Sequence, residues 1–141
     1  MTRPASSLIF DRTELDVENK TSKGFYNYTD LNRVEEWCKY LSEKLSSLSY
    51  NVEITTKVDW TRLNMFVSSA LERIRTNVQA IKSAFYPYST TPTIPLNLNL
   101  LNIEKANNIE KILFDIDELL TKTEYGFRYS NTFFSGEEGL P

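Results

Sequence analysis

Leu31, Val34, Cys38, Leu41, Leu45 and Leu48 recur three and four residues apart, a spacing that lines one face of a helix. Trp37 and Tyr40 widen that stripe into a face broad enough for a core. Thr29 or Asp30 is placed to cap the first free amides, and the acidic residues that follow suit the positive end of a helix. The opposite face is expected to carry Glu35, Lys39, Glu43 and Lys44 into solvent. The same stepping returns in Val67, Leu71, Ile74, Val78, Ile81 and Phe85, and again in Ala106, Ile109, Leu113, Ile116 and Leu120. These patterns predict helices over about 29–48, 64–85 and 103–122, with Asn64 and Asn102 as caps of the second and third. The second stops at Tyr86-Pro87, because the residue before a proline is pushed out of helical geometry. Gly126 is expected just past the end of the third.

Between the helices the pattern changes. Tyr50 to Ile54 alternates apolar and polar, which suits a short strand or an extended connector. Residues 86–102 hold Pro87, Pro92 and Pro95, followed by Leu96, Leu98 and Leu100 at alternate positions. A connection this long is unusual inside a compact domain. Either it runs extended along the bundle, pinned by those leucines, or it is an exposed arm; the cost of leaving three leucines in water favours the first. Ahead of the first long helix, Thr13-Glu14-Leu15-Asp16 resembles a capping box and predicts a short helix between Asp11 and Asn19, with Leu15 and Val17 as its buried side. Beyond the third helix, Tyr125, Phe127 and Tyr129 alternate with other residues before Phe133-Phe134, a strand-like or extended pattern.

The fold expected is all-α, an antiparallel three-helix bundle running up, down and up over 28–124. An N-terminal arm covers 1–27 and an aromatic C-terminal arm covers 125–141, with a short strand pairing near 50–54 or 125–134 left open. No internal repeat recurs at a fixed period. The 141 residues suit a single domain, and 40% apolar content supplies a core.

Composition then narrows the chemistry. One cysteine and no histidine exclude an internal disulfide, a zinc site of the usual Cys/His kind, and Ser-His-Asp or Cys-His catalysis within one chain. Cys38 sits on the helix stripe and reads as a small buried hydrophobe. The net charge of −3 argues against a dedicated nucleic-acid binder. No apolar run approaches the ~20 residues of a membrane helix, and the first residues lack a signal-peptide core, so synthesis in a cytoplasm is expected. Residues 57–85 carry five basic and two acidic side chains, a net of +3 that invites pairing with the acidic helices or a neighbouring subunit. Asp115 with Glu118, and Glu35 with Glu36, are the only carboxylate pairs that offer catalytic raw material, and charges on an amphipathic helix are more often simply solvated. Asn107-Asn108 is unfavourable inside a helix, which suggests that one of them hydrogen-bonds across to another helix or a nearby backbone group. The aromatic arms either fold back over the bundle ends or serve as interface anchors.

Three segments together resemble a known module: Phe10-Asp11-Arg12-Thr13 with Asp16-Val17, then Asn27-Tyr28-Thr29-Asp30-Leu31-Asn32-Arg33-Val34-Glu35, then Ala106-Asn107-Asn108-Ile109-Glu110-Lys111-Ile112-Leu113. Asp59-Trp60, Tyr129-Ser130 and Phe134-Ser135-Gly136-Glu137 extend the likeness over nearly the whole chain. It is similar to modules of virion structural proteins, mostly of tail and baseplate, in phages and prophages of Gram-positive bacteria. Such modules often open the second helix with a Pro-Thr pair, where this chain has Leu63-Asn64-Met65-Phe66-Val67. The resemblance implies a non-enzymatic virion component, located in the particle, without cofactor, metal or catalytic residues. Its partners would be other virion proteins and copies of itself in a symmetric assembly, with neither nucleic acid nor membrane. Phe10, Arg12, Tyr125, Phe127, Tyr129 and Phe134 are the interface candidates. The alternative expectation is a small helical adaptor or regulator that is absent from the particle.

Overall fold

The computed structural model describes residues 2–21, 24, 26–62, 68–98 and 102–136, with the side chains of Ser68 and of residues from 125 onward left aside. Four helices follow in order: α1 (Glu14–Glu18), α2 (Tyr28–Ser47), α3 (Ser68–Ala84) and α4 (Ile103–Gly136). The all-α bundle is therefore what the chain adopts.

Local chemistry sets the helix ends. Thr13 and Asp16 form a reciprocal capping box at α1, yet α1 buries nothing, and Leu15 and Val17 stay exposed where a buried side was expected. At α2 the cap is Asn27 rather than Thr29 or Asp30; Asp30 instead reaches back to the Asn27 amide at 2.9 Å and completes a second capping box. The end of α2 turns through Ser49 at φ 72°, with the Ser49 amide on Ser46 O (3.0 Å) and the Tyr50 amide on Leu45 O (2.8 Å). That is a Schellman turn with serine where glycine is usual. Asn102 caps α4 as expected, accepting from the Lys105 amide at 2.8 Å. The expected start of the second helix near Asn64 lies outside the described residues.

Of the two places open to a strand, 50–54 takes the other form expected of it, an extended connector, and 125–134 is helical, so the described residues hold no strand. The helix passes the expected stop near Lys122 and continues through Gly126 to Gly136. Once a helix is nucleated, each added residue gains a backbone hydrogen bond, and the tail as far as Gly136 has no proline to interrupt it.

The direction of the helices also corrects the up-down-up expectation. Arg33 of α2 meets Glu110 of α4 at 2.7 Å, and further along both helices Lys44 meets Asp117 and Glu124, each at 3.7 Å. Glu35 of α2 meets Arg73 of α3 at 2.7 Å, and Tyr50 and Phe85, just past the ends of those helices, pack edge to face at 5.1 Å. All three long helices therefore point the same way. Short loops force neighbours to be antiparallel, whereas an extended segment at about 3.3 Å per residue covers a helix length in some ten residues and returns the chain to its starting end. Residues 50–60 make that return along α2 and 88–97 along α4, where Tyr88 donates to Glu118 (2.9 Å), Thr91 to Asp115 (2.7 Å) and Lys105 to Asn97 (3.3 Å).

The second return runs along the bundle as favoured above, but Leu98 is buried while Leu96 stays exposed, and Leu100 lies outside the described residues. Residues 3–12 make a third such descent along α4 before α2 begins. Parallel helices align their dipoles. Asp30 and Glu104 in the first turns of α2 and α4, with Lys44 and Lys82 in the last turns of α2 and α3, offset part of the repulsion. The core between the helices is the predicted stripe: Leu31, Val34, Leu41 and Leu45 meet Val78, Ile81, Ile112, Leu113, Ile116 and Leu120.

Candidate functional site

Glu35 and Lys44, expected in solvent, are 1% and 7% exposed, and Arg12, Arg33 and Glu110 are buried with them. Lys44 bonds Tyr40 Oη (3.1 Å) and Thr121 Oγ1 (3.2 Å) between α2 and α4, and the other four charges belong to two clamps that hold extended backbone against helices.

The first is built on α4. Asn107, its fifth residue, brackets Arg12: Oδ1 accepts from the Arg12 amide (3.1 Å) and from Nη1 (3.2 Å), while Nδ2 donates to the Arg12 carbonyl (3.0 Å). One turn on, Glu110 Oε1 accepts the Ile9 amide at 3.0 Å. Glu110 is itself held by Arg33 through two bonds (2.7 and 2.8 Å) and by Arg12 Nη2 (2.6 Å). Asp30 accepts from Arg33 at 2.6 Å, which closes a ring of two guanidiniums and two carboxylates. Further up, Trp37 Nε1 donates to Ser6 O (2.8 Å), and Arg3 pairs with Asp117 (3.1 Å). The Asn107 expectation is met here.

The second clamp is built on α2 in the same manner. Asn32, again the fifth residue of its helix, accepts from the Trp60 amide (2.7 Å) and donates to the Trp60 carbonyl (3.2 Å). Glu35, three residues on, accepts the Lys57 amide at 3.1 Å and two bonds from Arg73 (2.7 and 2.8 Å), with Trp60 Nε1 as a further donor. Asn brackets the backbone of one residue, and Glu takes the amide three residues before it. Arg33 and Arg73, each the sixth residue of its helix, anchor the two glutamates.

The return through 88–97 cannot be held this way, because Pro92 and Pro95 have no amide hydrogen to give. α3 uses donors instead: Arg75 Nε bonds Pro95 O (2.6 Å) and Lys82 Nζ bonds Pro92 O (2.8 Å). Two of the basic residues expected to seek acidic helices thus catch carbonyls, and Arg73 alone of these three pairs with α2. Each helix holds the extended segment that leads towards the next: α4 before α2, α2 before α3, α3 before α4. The repetition is spatial, with no fixed sequence period.

Electrostatics follow the geometry. Burial alone would lower the Arg33 guanidinium, but its hydrogen bonds and charge contacts with Glu110 and Asp30 outweigh that and hold it above its usual range. Glu35 raises Arg73 against a smaller burial effect. Tyr26, whose ring lies 5.5 Å from the Arg12 guanidinium, is pushed up by burial first and then by Glu110 and Asp30. Burial, with Glu35 second, also pushes the Cys38 thiol up. Every buried side-chain nitrogen and oxygen among the described residues has a partner.

The interface candidates divide. Arg12 is 6% exposed and its guanidinium is engaged inside the first clamp. Phe10 is half-buried, 4.8 Å from Phe114, with the Lys111 ammonium 5.1 Å from both rings. Tyr125, Phe127, Tyr129 and Phe134 stand on α4, and their side chains lie outside the described residues. Along α4, positions 127 and 134 fall one and two heptads after 120, and 125 and 129 are one turn apart.

Of the carboxylate pairs, Asp115 is buried against Lys111 (2.9 Å) and Thr91, and Glu118 lies outside beside Tyr88 and Lys122. Glu118 lines an open groove of about 600 Å³ whose floor is Leu8, Phe10, Trp37 and Phe114 and whose rim includes Arg3 and Lys122. Among the described residues, no group of three or more Cys, Asp or Glu is placed to hold a metal, and no helix is long and apolar enough to cross a membrane. Sequence reading alone missed Glu35 and Glu110. The signal was present as a repeated Asn-x-x-Glu, Asn32 to Glu35 and Asn107 to Glu110. No family model matches the chain, and neither a curated protein nor a solved structure is significantly similar to it.

Proposed function

We propose that the chain is a non-enzymatic structural component of a phage virion, at the tail or baseplate, joined to copies of itself and to other virion proteins. One observation carries the reading. The three segments that bear the resemblance, 10–13, 27–35 and 106–113, converge on the first clamp through Arg12, Asp30, Arg33, Asn107 and Glu110. Asp59-Trp60 sits at the second. The residues that characterise the module thus serve to lock extended backbone onto helices, as a rigid building block requires. The aromatic positions on the far end of α4 supply anchors for neighbours.

The groove beside Phe10 favours a second reading, a small adaptor that receives a partner's apolar side chains. Counting this chain in purified particles by quantitative mass spectrometry separates the two. A fixed copy number, a multiple of three or six, is expected of a virion component. Absence from particles with abundant chain in the lysate overturns that reading and favours the adaptor. Replacing Phe127 and Tyr129 together by Ser is expected to leave helicity intact and abolish incorporation.

A further inference from the structure

We infer that the extended segment 3–12 is exchangeable, and that the clamp of α2 and α4 can be filled by the same segment of a second copy of this chain. The clamp reads backbone. Trp37, Glu110 and Asn107 take the Ser6 carbonyl, the Ile9 amide and both backbone groups of Arg12, one residue in every three. Those groups are identical in any copy, so the exchanged contacts equal the closed ones and the exchange is close to neutral in free energy.

What differs between open and closed is the linker at 13–25, and its described part folds upon itself. The α1 capping box is local, Thr21 Oγ1 bonds Asp16 O at 3.2 Å, and Gly24 lies so close to Asp16 that a Cβ there would collide with the Asp16 carbonyl. α1 buries no side chain against the bundle. A helix of five residues is marginal by itself, so opening this linker sacrifices little. Drawn out, thirteen residues reach about 45 Å, enough to bridge adjacent subunits. The closed form prevails in dilute solution, and exchange takes over where neighbours raise the effective concentration to the millimolar range. The inference extends the assembly reading but does not depend on where the assembly resides.

The test uses the full chain in two variants, Arg3→Cys and Thr121→Cys, joined by a bismaleimide about as long as the arginine side chain. In the native closed form the Arg3 guanidinium reaches Thr121 Oγ1 at 3.2 Å; the substitutions also remove the Arg3–Asp117 pair (3.1 Å) and the Lys44–Thr121 bond (3.2 Å), so the test is run on variants whose helicity and melting match the parent chain. Cys38 is buried with its thiol pushed up, and stays silent. Mixed at rising concentration and read by mass spectrometry, the pair is expected to give cross-linked heterodimer about tenfold above a mixture of Arg3→Cys with Glu72→Cys, whose exposed site reports random collision. A chain carrying both Arg3→Cys and Thr121→Cys, linked internally before mixing, should show none. Heterodimer at the collision level, from chains whose double variant links internally with high yield, overturns the inference.

Discussion

The two Asn-x-x-Glu clamps use the same bonds in different surroundings. At the first, Glu110 is wholly enclosed, with Arg12 and Arg33 side chains 2% and 8% exposed and Asp30 as the second carboxylate. At the second, Glu35 is just as buried, but its partner Arg73 keeps 26% of its side chain in solvent and Trp60 replaces the second arginine. A charge that loses its partner in the first has no water to turn to, whereas Arg73 can be rehydrated. The same motif is therefore a lock in one place and a fastener in the other.

The largest expected effect comes from Glu110→Gln, which leaves two buried guanidiniums to share Asp30. Loss of one member of a buried ionic network costs about 3–5 kcal/mol, which urea unfolding would register as a large drop in midpoint. A loss below about 1 kcal/mol would mean that water enters the first clamp and that the contrast is false. Glu35→Gln is expected to cost less, about 1.5–3 kcal/mol, the range of hydrogen bonds to a charged group. Equal losses at the two glutamates would erase the distinction.

Asn32→Ala removes the backbone bracket alone, whereas Asn107→Ala also removes the bond from Arg12 Nη1. Each should cost about 1–3 kcal/mol, because a backbone amide or carbonyl is left without its partner. Similar values at the two sites would show that the brackets are equivalent and the difference lies in the ions.

Alkaline pH probes the groups that face the clamps. Cys38 and Tyr26 are raised above their ordinary values of 9.0 and 10.0. On raising the pH, the unfolded chain releases these protons first, the folded chain then holds more protons, and stability falls. Their contribution is complete below the ordinary values and should fade from about pH 9 upward, and Cys38→Val should remove the earlier part of the fall in thermal scans. The smallest effect is expected at Glu118→Gln, whose partners Tyr88 and Lys122 lie at the surface: no measurable change in melting temperature.

Much of this architecture was legible in the residues. The three stripes gave the helices, since a 3.6-residue period needs only local spacing, and Asn102 marked the start of α4. The length and leucines of 86–102 pointed to a segment running along the bundle. Helix direction is not carried by periodicity: a chain that travels a helix length in extended form begins its next helix at the same end, and that depends on how the connections lie against the helices. Asn107 was singled out by its poor helix propensity, but its partner Arg12 could not be, because ninety-five positions separate them.

The sequence by itself determined where apolar side chains repeat and hence which segments become helices with one face inward. Only the tertiary structure decided that Glu35, Lys44 and Glu110 lie inside and that all three long helices run in one direction. Periodicity sorts residues by their own polarity, and charged residues at helical spacing look alike whether solvated or paired. Their burial depends on whether a counter-charge and a backbone amide arrive from distant parts of the chain, and that is settled only when the extended segments have been laid against the helices.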